Sequence, residues 1–552
     1  MDGQSIRNTA VSNGTSDTKK IILWCLLMNE STMEKENDIM AKPVIGLDFG
    51  NYNSFTCYIS DFDAGTKMGG IVHDLLPQGL NDGIPSVFFY SKNIGILCGE
   101  DAVRNRAKPV QNRMRYLKRH LGETLTIDDK TMSYDSAITQ VIQHCVRRAN
   151  EQLKAGYQVT TNLISLSYPA TYTFAQRQRL IELAEKATLA DGTKVKVYGT
   201  IAEPAAAALD YLAEFAKSTK ETTILVYDLG GGTFDLALVS AYPSGRKNSE
   251  GNLYYYDIIN TRGLGKVGGA EFDEIMFNLL SRKFNVALKP AHKNTLRTLA
   301  ETVKVDLSSD EYAEPELVYN DDYLSAHVTR TEFESASREL LMKTINATKE
   351  ILNDHPNQQP EFILLTGGAS QMPMVQRELE AALPKFKGKI MYFRPSRAIA
   401  YGAARFGTSE ANTDPVKKTS AVQQRTMYDI GVRFFKSTTD EKGHISTYIK
   451  AGTPIPYAAE YQRSSTLYEN QRYSKFRVYE ANKAHPDTDK VFDDYQEIMY
   501  VTIDHEKEVP VGTKSETRLV VDKLGRLTIE AREVDKPGKP PIKNSVELKN
   551  LS

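Results

Sequence analysis

Cysteine is scarce. Four residues, Cys25, Cys57, Cys98 and Cys145, are spread through 552 positions, with no CxxC pair and no Cys/His ligand spacing. Neither a disulfide framework nor a structural zinc site is encoded, and the usage fits a reducing cytoplasm. An excess of one charge is missing too. Sixty-nine Lys and Arg stand against 70 Asp and Glu, a formal net charge of −1, so no global field recruits nucleic acid or anionic lipid, and neither is expected as a partner. Long apolar runs are absent. The nearest, Ile21 to Met28 after Lys19 and Lys20, is far shorter than the ~20 residues of a bilayer span. Asn29-Glu30-Ser31 behind it offers no small-x-small cleavage site. What is present, 41% hydrophobic and 25% charged residues, is the composition of a soluble globular chain. At roughly 100–200 residues per domain, the length suggests three or four compact units.

Residues 1–41 read as a polar, disordered extension. Order begins near Val44, where VIGLDFG and SFTCYIS place apolar residues on either side of a Gly/Asn turn, a strand–turn–strand pattern. Ile138, Val141, Ile142, Cys145 and Ala149 recur at helical spacing, as do Leu180, Ile181, Leu183, Ala184 and Ala187 within 174–189, with a strand at 163–167 between the two stretches. Strands alternating with such helices predict an α/β domain. The pattern restarts at 223–227 and 236–239, strands that flank Asp228-Leu-Gly-Gly-Gly-Thr-Phe-Asp235. A second strand, acidic-Gly turn and strand predicts an internally duplicated fold over 42–407. Residues 408–425 read as a polar linker. Short strands punctuated by Gly443, Gly452, Gly512 and Gly525 predict a β-sandwich over 426–533, and 534–552 read as a flexible tail.

The two acidic-Gly turns carry the chemistry. Asp48-Phe49-Gly50-Asn51-Tyr52-Asn53 and Asp228 to Thr233 can each offer backbone N–H groups to a phosphate while the Asp faces a metal, and glycine lets the backbone approach the anion. They lie about 180 residues apart and, in a duplicated fold, face one another. Gly367 and Gly368, after the strand 362–365, supply a nucleoside wall. No GxxxxGK[ST] and no GxGxxG before a helix occurs, which disfavours Walker and Rossmann sites. The basic run Arg104, Arg106, Lys108, Arg113, Arg115, Lys118 and Arg119 reads as a solvated face beside a phosphate cleft.

VIGLDFGNYNS, IAEPAAAALDYL (201–212), VYDLGGGTFDLALV (226–239), VGGAEFD (267–273), ETVKVDLSS (301–309), ILLTGGASQMPMVQ (363–376) and AIAYGAA (398–404) resemble, in order, the signatures of the DnaK-type seventy-kilodalton heat-shock chaperones. The resemblance covers about 42–533. It implies a duplicated, actin-like (ribonuclease-H-like), two-lobed ATPase domain followed by a small peptide-binding β-sandwich. It implies ATP and ADP with Mg²⁺ in the cleft, slow ATP hydrolysis, and as partners unfolded or extended polypeptide and a cochaperone or nucleotide-exchange protein. By resemblance, Asp48 and Asp228 hold hydrated Mg²⁺, Lys118 stands beside the γ-phosphate, Glu203 orients water, and Thr233 supplies a hydroxyl at the phosphate hairpin. Gly50, Asn51, Tyr52, Gly230, Gly231, Gly232, Gly269, Gly367 and Gly368 contact phosphate or nucleoside. Glu301, Lys304 and Ser308, spaced i, i+3, i+7 along one helix face, contact ribose and adenine.

The chain departs from the pattern in several places. Asn51 and Tyr52 stand where the family usually has two threonines, Val305 and Gln371 where two arginines flank the adenine, and Ser396-Arg397 where Asp-Glu is usual. The linker's run of leucines or valines is reduced to Ala421 and Val422 in KKTSAVQQRT (417–426), so linker docking is expected to be worth about one buried side chain, ~1.5–3 kcal/mol. The residues after Glu533 are too few to encode the family's helical lid. The expected function is an ATP-hydrolysing chaperone, with Ile445, Leu467 and Phe476 lining a peptide cleft. The alternative is a nucleotide-gated scaffold with one fixed protein partner.

Overall fold

The apolar runs on either side of the first acidic-Gly turn form Ile45–Asp48 (β1) and Asn53–Ser60 (β2), which pair antiparallel through Gly46↔Cys57 and Asp48↔Phe55. Ile71–Asp74 (β3) extends the meander. Leu163–Tyr168 (β4) then joins the other side of β1 in parallel, followed in parallel by Lys196–Ala202 (β5). The sheet order is β5-β4-β1-β2-β3. The computed structural model describes residues 43–60, 70–104, 110–215, 221–248, 251–319, 322–411, 420–482, 486–534 and 540–545. The expected extension over 1–41 lies outside the described residues.

Parallel neighbours need crossovers, and here these are helices. Tyr134–Tyr157 (α1) starts at Ser133, whose hydroxyl accepts from the Asp135 N–H, and it buries the whole stripe Ile138, Val141, Ile142, Cys145, Ala149. Phe174–Lys186 (α2) starts with a capping box between Thr173 and Gln176. It ends before the expected Leu189, because the chain turns back on itself there. The Gly192 N–H donates to the Leu189 carbonyl, and Val195 N–H donates to the Ala187 carbonyl.

Glu203–Phe215 (α3) leads into the second copy. Thr222–Leu229 (β6), Phe234–Asn248 (β7) and Gly251–Leu264 (β8) repeat the antiparallel meander. After Gly269–Phe284 (α4), Pro290–Ser309 (α5) and Arg330–Asp354 (α6), Phe362–Thr366 (β9) pairs parallel with β6, and Ile390–Tyr392 (β10) parallel with β9. The order β10-β9-β6-β7-β8 matches β5-β4-β1-β2-β3 strand for strand, which is the duplication predicted from the repeated turn. Ala398–Ala411 (α7) packs on α3. It runs four residues beyond the expected end at Gly407, with Ser409 buried.

The linker expectation is corrected over 420–425. Ser420–Arg425 (β11) adds in parallel to β8 through Tyr254↔Ser420 to Asp257↔Gln423. Main-chain pairing needs no apolar side chains, and the polar ones find partners: Gln424 donates to the Thr200 carbonyl at 2.8 Å, and Arg425 grips Asp257 through two bonds of 2.9 and 2.8 Å.

Beyond it, Ile430–Phe434 (β12), His444–Ile449 (β13), Pro454–Ile455 (β14), Gln462–Ser465 (β15), Gln471–Ala481 (β16), Tyr495–Val509 (β17), Lys514–Val521 (β18) and Leu527–Glu533 (β19) follow. β14 pairs with β11. β13-β12-β16-β17 form one sheet, and β18 and β19 belong to another that β15 joins at β18. Val432, Val478 and Val501 of the first meet Leu519, Leu527 and Ile529 of the second in one buried cluster. The expected flexible tail is corrected at Ile542–Ser545 (β20), which pairs antiparallel with β19 from Ala531↔Ile542 to Thr528↔Ser545. Among the described residues no helix is long and apolar enough to cross a membrane.

Candidate nucleotide cleft

Duplication brings the two acidic turns face to face. Asp48 closes β1, Asp228 lies one residue before the end of β6, and each strand hands over directly to its turn. Asp48, Gly50, Asn51, Tyr52, Lys118, Glu203, Asp228, Gly230, Gly231, Gly232, Thr233, Gly269, Glu301, Lys304, Ser308, Gly367 and Gly368 all line a single cleft of about 520 Å³. That volume lies in the ~300–1,000 Å³ range of small-molecule sites.

The second turn is braced from within the cleft wall. Gly269 and Ala270 at the start of α4 donate to the Gly230 and Gly231 carbonyls, both at 2.9 Å. Gly367 adopts φ 81°, and a side chain there would place its Cβ 2.5 Å from Asp228 Oδ1 and 2.4 Å from the Leu229 carbonyl. Only glycine fits against this carboxylate. Across the cleft, Lys118 is held by a short bond to Glu203, with side chains 2% and 8% exposed. Glu203 reaches it from the first turn of α3. The Tyr172 hydroxyl donates to the Lys118 carbonyl at 2.9 Å, fixing the backbone beneath the ammonium.

Negative charge is crowded. Asp228 and Asp235 face each other as cross-strand partners on β6 and β7, both buried, a pairing of like charges that destabilises a sheet. Burial, then Glu203, then Asp235 and Asp48 push the Asp228 carboxyl well above its ordinary range. Burial and Glu203 lift Asp48 to about 7, opposed by Lys118 and by the 3.0 Å bond from Ser167 Oγ. Burial and Glu203 likewise lift Asp235 to about 7. Asp228 Oδ1 has no hydrogen-bond partner. An orphaned carboxylate oxygen among buried acids fits a cation. Mg²⁺ keeps several waters and is held by one or two carboxylates plus phosphate oxygens; Asp48 and Asp228 are the carboxylates that would hold it here.

On the far wall, Glu301, Lys304 and Ser308 lie along α5 as their spacing predicts, and Lys304 pairs with Asp273 at 2.6 Å. Val305 and Gln371 line the same cleft. Sequence reasoning missed Asp235, Asp273 and Glu271, although all three sit inside quoted motifs. The signal for Asp235 was available: in a hairpin, the acid seven residues after Asp228 returns to the same level of the ladder. Of the basic run, Arg106 and Lys108 lie outside the described residues, and at Lys118 and Arg119 the expectation of a solvated face is corrected. Lys118 is buried, and Arg119 donates to Glu271 at 2.7 Å and to the Gly232 carbonyl at 2.9 Å.

The family model described as Hsp70 protein matches residues 124–548. The chain belongs to the Hsp70 family. Two proteins named Chaperone protein DnaK, from Thermotoga petrophila and Thermotoga maritima, are each 27% identical over 92% of this chain and 86% of their own. The one from Thermotoga neapolitana is 28% identical over 80% of this chain and 70% of its own. For an Hsp70 the proposed peptide-lining residues are placed unexpectedly. Ile445 is 4% exposed and packs with Tyr479, Ala481 and Tyr495, whereas Phe476 belongs to the separate core of Val432 and Val478. Leu467 is half-buried and in neither cluster. Ile445 and Phe476 thus pack in separate buried clusters, as period-2 alternation in a sandwich places one face of each strand in its own core.

Proposed function

We propose that this Hsp70-family chain is an ATP-hydrolysing chaperone that binds extended polypeptide. The observation that carries it is the convergence of two acidic-Gly turns, a buried Lys118–Glu203 pair and the α5 face on one cleft. The backbone N–H groups of both turns bind the phosphates, and the Lys118 ammonium faces the terminal one. Glu203 and Thr233 orient the attacking water; the α5 wall takes ribose and base. Mg²⁺, when bound near Asp48 and Asp228, neutralises phosphate charge. Positioning and electrostatics supply most of the barrier reduction in phosphoryl transfer. The like-named relatives support the chaperone half of the reading.

Mg²⁺-dependent ATP turnover of the full chain is the test, with Asp228→Ala and Lys118→Ala beside it. Removing one such electrostatic element commonly costs about 10²–10³ in rate. Normal turnover in both variants, with native circular dichroism, rejects the site. Fluorescence anisotropy of a labelled apolar peptide, with and without ATP, tests the chaperone half.

A further inference from the structure

Between Arg113 and Lys118 the chain makes an unusual turn. Tyr116 adopts φ 53°, a left-handed conformation that is strained for a non-glycine residue. The turn sends Lys118 into the nucleotide cleft and leaves Arg115 beside a smaller cavity of about 100 Å³. That cavity is lined by Asn51, Tyr52, Ser86, Val103, Arg115 and Tyr116 among others, and it shares Asn51, Tyr52 and Asn53 with the nucleotide cleft. The first phosphate turn is therefore the partition between the two spaces.

The side cavity presents a guanidinium whose donors are not used up within the chain. Arg115 has no hydrogen bond or ion pair among the described residues, and its Nε is buried without a partner. Arg113 Nε is also buried and unpartnered; Arg113 spends one Nη on the Val103 carbonyl at 3.3 Å. Burial and the neighbouring Arg115 charge pull the Arg113 guanidinium below its ordinary range. On the partition, Asn51 is 9% exposed and its Oδ1 has no partner; as an acceptor it can take only the P–OH of a protonated phosphate. A guanidinium offers up to five donors in a fork matched to phosphate oxygens. The volume suits several waters or one small tetrahedral oxyanion, and it is well below the ~300 Å³ of the smallest organic-ligand pockets.

We propose that the Arg115 cavity is a second, separate oxyanion site that holds inorganic phosphate after its cleavage from the nucleotide. Cleavage adds water across the terminal phosphoanhydride and yields ADP, phosphate and a proton; the side cavity then retains the phosphate behind Asn51 and Tyr52. Phosphate departure is thereby separated in time from bond cleavage. The identity of the anion rests on the ATPase reading; the existence of the site does not.

Two measurements on the full chain decide it. Equilibrium binding of inorganic phosphate, followed by ³¹P NMR, is expected to saturate and to persist when ATP fills the main cleft of the hydrolysis-deficient Lys118→Ala protein. Arg115→Gln is expected to weaken it about tenfold, Arg113→Gln a few-fold, and Arg115→Lys less than Arg115→Gln. In single-turnover assays with a fluorescent phosphate sensor, Arg115→Gln should leave cleavage unchanged and shorten the lag before phosphate appears. Equal phosphate affinity in wild type and both folded glutamine variants overturns the proposal. So does complete displacement of phosphate by ATP, which would put the ion in the main cleft. A wild-type chain that binds phosphate but cleaves no ATP leaves the anion site standing and rejects the ATPase reading instead.

Discussion

Gly402 shows how much one hydrogen atom can decide. It sits on α7 where that helix crosses α3, and a Cβ added there would lie 1.8 Å from the Ala206 carbonyl oxygen. The obstacle is backbone, so no rotamer change relieves it. The Ala-rich sequence of α3 and Gly402 together let the two helices approach closely between the lobes. Gly402→Ala is expected to lower stability by at least the ~1–3 kcal/mol of ordinary overpacking, read as a lower urea midpoint at unchanged m-value. An unchanged midpoint would mean that the helices separate freely. The motif AIAYGAA containing Gly402 was legible in the sequence, but its partner was not, since sequence spacing says nothing about which distant backbone comes close. The same limit explains Asp235 and Arg115. Both lie within legible stretches, and their roles depend on what stands opposite.

At the scale of elements, helix stripes and strand alternation gave the duplicated core correctly, because Val, Ile and Leu on one face report burial directly. They failed at β11. A strand held by main-chain bonds and by amide and guanidinium side chains has no apolar signature, so 420–425 looked like free linker. Gln424 is the element's anchor: it is buried, its amide nitrogen donates to the Thr200 carbonyl, and the Tyr168 hydroxyl donates to its oxygen at 3.3 Å. Gln424→Ala would leave Thr200 O facing a cavity, an unsatisfied buried acceptor costing ~1–3 kcal/mol. The expected outcome is faster hydrogen exchange at the amides of 420–425, by about tenfold or more, with β6 and β7 unaffected. Unchanged exchange would show that backbone pairing alone secures the strand, and that side-chain chemistry in this segment is free to vary.

For the whole molecule, the sandwich is locked to the lobe of the β5-β4-β1-β2-β3 sheet at the N-terminus of α2, and one buried acid makes that lock sensitive to protons. Phe174 and Ala175 of α2 are part of the sandwich core. The Leu524 carbonyl accepts from Arg177 at 2.7 Å and from Thr200 Oγ1 at 2.9 Å, while Arg526 pairs with Glu185 at 2.8 Å. At the centre, Glu480 of β16 is 1% exposed and accepts the Phe174 N–H at 3.0 Å. Arg177, Arg425, Tyr168 and Tyr172 line the small cavity it shares, and Tyr428 feels its charge. No cation pairs with it among the described residues. Burial raises its carboxyl to about 8, only partly offset by the Phe174 N–H. Separation of the sandwich from the lobe would return Glu480 to water and to about 4.5. The docked form therefore binds the proton more tightly, and docking draws its full stabilisation below about 4.5. As pH rises from there to about 8 that contribution is lost, at up to ~1.4 kcal/mol per unit, or tenfold in the docking equilibrium. Glu480→Gln keeps an acceptor for Phe174 and cannot ionise, so it should hold the domains together and flatten the pH response between 5 and 8. Energy transfer between dyes on the lobe and the sandwich reads the docked fraction directly. An equal slope in wild type and Glu480→Gln would place the titrating group elsewhere.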